Sequence, residues 1–175
     1  NTRLIKKNAF NGCTQLTYIY SSENKSKPAL PSGLASQSDI TIGESAFQGC
    51  TSLKNFSMEF LNGGNTISFG KYCFKGCTDL TELVYPDNLF TAGIGAFMDC
   101  TKLKKVTLGA GCQSIDDETF CNCIGLEKVT YKGAPTSDVS VQLPDNFTRV
   151  GSKAFMGTAI SSIQLPSELN TLGAM

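Results

Sequence analysis

The residues with the most chemistry in this chain are its eight cysteines, and they come without a single histidine. A thiol serves as nucleophile or metal ligand only as the thiolate, which requires a base, a cation or a metal beside it. Without histidine neither a Ser-His-Asp nor a Cys-His nucleophile can be assembled, and no metal site can include an imidazole. The pairs Cys121-Asn-Cys123 and Cys73-Phe-Lys-Gly-Cys77 do not supply the four converging ligands of tetrahedral zinc. Asp116-Asp117-Glu118 is an acidic run with no oxygen partners elsewhere, which makes a poor calcium site and reads as a solvated face. Gly109-Ala-Gly111 and Asn62-Gly63-Gly64 do not match a phosphate loop and read as turns. The chain is therefore expected not to be an enzyme and to carry no cofactor and no metal.

The spacing of the cysteines points to packing. Six phenylalanines, Phe10, Phe47, Phe74, Phe97, Phe120 and Phe155, are spaced 37, 27, 23, 23 and 35 residues apart. Each follows a small residue (Ala9, Ala46, Cys73, Ala96, Thr119, Ala154). Three residues after each comes Cys13, Cys50, Cys77, Cys100 and Cys123, with Thr158 in the last copy, and six after comes Leu16, Leu53, Leu80, Leu103 and Leu126. The last copy has lost one residue, so Ile160 takes the leucine slot. Nine and eleven after the Phe, apolar residues alternate with polar ones, as in Leu83 and Tyr85 or Val106 and Leu108, which is the period of a half-buried strand. Upstream sits an apolar-Gly pair (Ile42-Gly43, Phe69-Gly70, Ala92-Gly93, Val150-Gly151, Leu172-Gly173), where glycine suggests a turn with unusual backbone angles or a close approach. The small residue and the cysteine are four apart, so one helical turn would bring both, with the Phe, to the inner side.

A fold class follows: an α/β repeat, a solenoid with a parallel β-sheet on one face and short helical turns on the other. A coil of about 23 residues lies in the leucine-rich-repeat range. The whole of residues 1–175 reads as one domain of about six repeats, with loop insertions near 21–38 and 133–140. Neither end looks like a polar cap, so the chain is expected to be a fragment of a longer array. Cysteines in the repeated slot form a ladder of small apolar side chains, as do Cys73 and Cys112 in neighbouring slots. Cys121 stands apart: its equivalents Asn11, Gln48, Lys75, Met98 and Met156 make a mixed column, so it reads as an exposed thiol, reactive or idle.

Composition narrows the partners. Lys plus Arg equals Asp plus Glu at 15 each, and no basic block stands out, so no nucleic-acid or anionic-membrane footprint is present. No apolar run reaches the roughly 18 residues of a membrane span.

Segments such as Ile42-Gly-Glu-Ser-Ala-Phe-Gln-Gly-Cys-Thr-Ser-Leu-Lys-Asn-Phe56 resemble the BspA-like (Treponema pallidum-type) leucine-rich repeat. The resemblance covers nearly the whole chain outside the two insertions. Lys6 and Asp116 stand where the repeat has Gly, and Thr119 where it has Ala. What it implies is an extracellular or cell-surface location and a role in adhesion or binding of a protein, peptide or glycan. It implies no catalytic residue. The alternative is a structural spacer that supports another domain and binds nothing.

Under the interaction reading, the ligand would meet the outward strand positions. These are Tyr18, Tyr20, Asn55, Ser57, Glu82, Lys105, Thr107, Lys128, Thr130 and Gln164. Six strands about 4.8 Å apart and about five residues wide offer a face of roughly 500 Å². That is enough for a peptide or a glycan and short of a standard protein footprint of about 800 Å² a side.

Overall fold

The computed structural model describes residues 4–19, 40–55, 58 and 66–174. Among the described residues the coils carry short strand segments on either side of a run of tight turns, and every strand pairing is parallel. Downstream of the turns lie β4 (Glu82–Val84), β5 (Lys105–Leu108), β7 (Lys128–Tyr131), β8 (Val141–Gln142) and β10 (Ile163–Gln164), paired in the order β4-β5-β7-β8-β10. Upstream of the Phe, the apolar residue of the repeat ends a second strand in every coil except that of Ala92-Gly93. β1 (Leu4–Ile5), β2 (Ile40–Ile42) and β3 (Ile67–Phe69) form one sheet, and β6 (Ser114–Ile115), β9 (Arg149–Val150) and β11 (Thr171–Leu172) form another. The solenoid therefore has sheet on two sides and makes about five turns between its first and last Phe.

The expected helical turns are absent: no helix forms among the described residues. The cause lies in where the N–H groups go. A helix satisfies them within itself, whereas here every second one is exported to the next coil. Ser45, Phe47 and Gly49 donate to the carbonyls of Lys71, Cys73 and Lys75 at 2.7–2.9 Å, while Ala46, Gln48 and Cys50 donate within their own coil to Gly43, Ser45 and Phe47. Alternation of this kind needs a left-handed residue two before the Phe. Asn8, Ser45, Tyr72, Gly95, Glu118 and Lys153 all have φ between 54° and 59°. Pairing with the next coil thus overrides the cost of αL for non-glycine side chains.

The interior is a set of ladders. The rings of Phe10, Phe47, Phe74, Phe97, Phe120 and Phe155 stack with centroids 5.0–6.0 Å apart and planes within 15°. Beside them four thiols of the ladder find partners that the sequence did not announce. Cys50, Cys77, Cys100 and Cys123 donate S–H to the carbonyls of Phe10, Phe47, Phe74 and Phe97 at 3.1–3.3 Å, one coil back in each case. In the last copy Thr158 Oγ1 donates instead to Phe155 of its own coil at 2.8 Å.

The glycine of the apolar-Gly pair is explained by close approach, since its φ is not in the left-handed region. A Cβ on Gly93 would lie 2.5 Å from the Phe69 carbonyl oxygen and 2.8 Å from the Gly70 carbonyl carbon. Backbone cannot yield there without separating two coils. Gly93→Ala is expected to cost about 1–3 kcal/mol, the usual price of overpacking. A stability loss of less than about 0.5 kcal/mol in urea unfolding would show that the coils part easily and that close approach is not the reason for the glycine.

The insertion near 21–38 lies outside the described residues. The one near 133–140 is a loop, but it leads into a strand of its own. β8 enters the sheet between β7 and β10, pairing Val141 with Val129 on one side and Ile163 on the other. Meanwhile Phe120 and Phe155 remain direct neighbours, 5.9 Å apart. One side of the stack therefore gains a rung that the Phe side does not have. At the two ends of the described stack large apolar side chains stay open to solvent, including Phe10 (41% exposed) and Leu172 (48%).

Candidate functional site

The outward face of the β4-β5-β7 sheet is set by strand register. Glu82, Lys105 and Lys128 stand side by side on adjacent rungs, as do Val84, Thr107 and Thr130. Their inward neighbours Leu83, Val106 and Val129 are buried. Glu82, Lys105 and Gln164 are exposed, and Thr107 is half-buried. Val84, 40% exposed, is an apolar member of the face.

Other expected members have structural work. Lys128 turns its ammonium into the loop that follows β7, donating to the carbonyls of Ser137 at 2.6 Å and Val139 at 2.7 Å. This also removes a lysine charge from beside Lys105. Gln142, outward on β8, is buried and donates to the Pro135 carbonyl at 3.2 Å. The loop thus closes over the β7-β8 end, where Thr130 is half-buried. Asn55 accepts from the N–H groups of Thr81 (2.9 Å) and Glu82 (3.1 Å) and donates to Thr81 Oγ1 (2.8 Å), so its amide holds the start of β4. Tyr20 and Ser57 lie outside the described residues.

Tyr18, 44% exposed, belongs to a feature that the two columns missed. Tyr18, Lys54, Asn55, Asp79, Thr81 and Lys102 line an open depression of about 360 Å³. At its centre the Asp79 carboxylate receives Lys54 on Oδ2 at 2.6 Å and Lys102 on Oδ1 at 2.7 Å. The signal was available as Lys54, Asp79 and Lys102 in successive repeats, one to three residues ahead of the columns. The hydrogen bonds from Lys102 and Lys54 hold the Asp79 carboxyl down at about 2. A carboxyl whose folded pKa lies below its unfolded value stabilises above the unfolded pKa and loses that stabilisation as pH falls through the folded one. Asp79 is solvent-facing, so the effect is small and screened by salt. Asp79→Asn is expected to flatten a shallow loss of stability between about pH 4 and pH 2 in low salt. An unchanged acid limb, followed by thermal melting, would remove Asp79 from that account.

The acidic run is not simply a solvated face. Arg149 forks across it, with Nη1 2.8 Å from Asp116 Oδ1 and Nη2 2.6 Å from Asp117 Oδ1. Asp117 Oδ1 also accepts the Ser152 N–H at 2.9 Å. Burial nevertheless raises the Asp116 carboxyl, outweighing the Arg149 charge. The cluster staples β6's coil to β9's.

Cys121 is corrected as well. It is 1% exposed, and burial followed by the charges of Glu118 and Asp99 pushes its thiol up, the opposite of activation. Its column gave no clue to this, since Met98 is half-buried and Met156 exposed. Burial raises the ladder thiols too, Cys50 to about 11 and Cys123 to about 12. Cys13, in the first coil, is the exposed one, and all eight cysteines are free. A thiol reagent should therefore label Cys13 in the native protein and the other seven only on unfolding. Peptide mapping that finds Cys121 labelled as fast as Cys13 would reverse the assignment. Among the described residues no group of three or more Cys, Asp or Glu is placed to hold a metal ion. No helix among them is long and apolar enough to cross a membrane.

Comparison with known proteins agrees with this geometry. The family profile described as "BspA type Leucine rich repeat region" matches residues 26–137 and 133–175, in six copies. A search of curated proteins finds no match. Among solved structures, the Treponema pallidum leucine-rich repeat protein is similar over 85% of this chain and 62% of its own, with 26% identity and a TM-score of 0.56. A leucine-rich cell surface protein from Faecalibacterium prausnitzii is similar over 93% of this chain and 42% of its own, with 20% identity and a TM-score of 0.58. The chain thus spans less than two thirds of the length of either.

Proposed function

The chain belongs to the BspA-type leucine-rich repeat family, and from that premise we propose that it is a non-catalytic interaction module at a cell surface. The observation that carries the reading is the free outward face of β4 and β5. Among the described residues no ion pair between coils uses Glu82 or Lys105. Val84 exposes apolar surface to water on the same face, opposite Thr107. Repeat solenoids offer such extended faces to partners. The surface location is supported by what the F. prausnitzii structure is called. Absence of histidine and the burial of seven thiols support the non-catalytic part.

The ligand-facing residues, on this reading, are Tyr18, Glu82, Val84, Lys105, Thr107 and Gln164. Lys128 and Asn55 serve the scaffold, and Thr130 is half-buried on β7. The test is retention on an array of matrix proteins, peptides and glycans. Val84→Asp and Lys105→Glu should each weaken the retained ligand at least fivefold, whereas Lys153→Glu on the turn side should not. If nothing is retained by the wild type, the spacer alternative takes its place.

A further inference from the structure

We propose that the depression between Tyr18 and Lys102 is a subsite for a carboxylate-bearing sugar, the acidic residue of a glycan. The inference rests on the sheet face being the binding side, and it names what one end of that face recognises. Two ammoniums sit on either side of one carboxylate, so the depression carries a net single positive charge: Lys54 and Lys102 against Asp79. Asp79 fixes the position of both, and each ammonium keeps N–H groups for a second acceptor. A ligand carboxylate can accept from both lysines without displacing Asp79, because the lysine side chains stay partly open at 45% and 64% exposure. Charge-assisted hydrogen bonds of this kind are the strong ones.

The rest of the lining selects the carrier. Among the described residues of the lining, Asn55, Thr81 and Asp79 are polar and Tyr18 supplies an aromatic ring. Side-chain recognition of a peptide draws its affinity from buried apolar or aromatic anchors in pockets, and the described residues of this lining are mostly polar. A sugar needs only an aromatic platform for its C–H face and polar groups for its hydroxyls. The size agrees, since about 360 Å³ lies at the low end of small-molecule sites.

The experiment is titration of the whole chain with sodium glucuronate, with glucose, and with a short glutamate-containing peptide amide, read by ligand-observed NMR. Expected are millimolar binding of glucuronate at low salt and at least fivefold weaker binding of glucose and of the peptide. Lys102→Gln and Lys54→Gln should each weaken glucuronate at least fivefold with melting temperature unchanged, and Tyr18→Ala should weaken it with the charge intact. Lys153→Gln should leave it alone. Equal binding of glucose and glucuronate, no effect of Lys102→Gln, or tighter binding of the peptide would each overturn the proposal. Its failure is separable from that of the broader reading. An array ligand lost in Val84→Asp, with glucuronate ignored, would keep the face and discard the sugar. Lys102-dependent glucuronate binding, with no array ligand sensitive to Val84, would do the reverse.

Discussion

Phe97→Ala should lower the stability of the folded chain by about 3–5 kcal/mol, the range for truncating a buried aromatic. Phe97 is fully buried and lies in the middle of the ring ladder. It stacks on Phe74 at 5.4 Å and Phe120 at 6.0 Å, with the edge of Phe69 at 6.1 Å and Tyr85 at 6.0 Å. Truncation therefore removes four aromatic contacts and leaves a void that the stiff coils cannot close. Phe10→Ala, at an open end, should cost much less, and Gln48→Ala almost nothing. The measurement is the urea midpoint at constant m-value. Each coil touches only its neighbours, so a weakened middle can also split the transition in two, and two probes should be followed. Equal and small effects for Phe97 and Gln48 would refute the register on which everything above depends.

Alkaline pH should unfold the protein near pH 10. Cys50, Cys73, Cys77, Cys100, Cys112 and Cys123 are all fully buried, and burial pushes each thiol above its ordinary value near 9. A group whose folded pKa is raised stabilises below the unfolded pKa, and that stabilisation is lost as pH rises through the folded one. For each thiol the loss is about 1.4 kcal/mol per pH unit above 9. Six together give roughly 8 kcal/mol at pH 10, comparable with the whole stability of an ordinary domain. The control comes from the repeat itself: Cys73 holds a slot that is Ala9, Ala46, Ala96 and Ala154 in other coils. Cys73→Ala should keep most of the stability at pH 7 and reduce the alkaline slope by about 1.4 kcal/mol per pH unit. Urea unfolding under reductant at pH 8, 9 and 10 reads both. A flat profile to pH 11 in the wild type would mean that the thiols reach water in the folded state.

Much of this scaffold was legible because it is written in side chains that repeat. The phenylalanines from Phe47 to Phe155, the cysteines from Cys50 to Cys123 and the alternation at Leu83-Tyr85 and Val106-Leu108 became what their spacing implied, whereas Phe10 and Cys13, in the first coil, are exposed. The turn run was misread because its conformation is not encoded by residue type. Tyr72, Glu118 and Lys153 are poor candidates for αL, and they adopt it because their N–H groups are claimed by the next coil. β8 was hidden by its brevity, although Val139, Val141 and Leu143 alternate as a strand should. Asn55 and Lys128 look like surface residues in the sequence. Their partners, Thr81 in the next coil and the carbonyls of Ser137 and Val139 in a loop, become neighbours only on folding. A single column of polar residues does not say which members are spare.

The added rung at β8 has a consequence for how such a gene can change. Duplication of a 23-residue coil lengthens the stack and leaves its direction alone. The 12 extra residues between Phe120 and Phe155 do something different. They widen one side by a strand spacing of about 4.8 Å while the ring side advances a single step, so the axis must tilt at that point like a masonry arch over a wedge-shaped stone. Half-coil insertions are in this sense steering mutations. They re-aim every repeat that follows without altering a residue in it, and excising 132–143 would turn the path straight again.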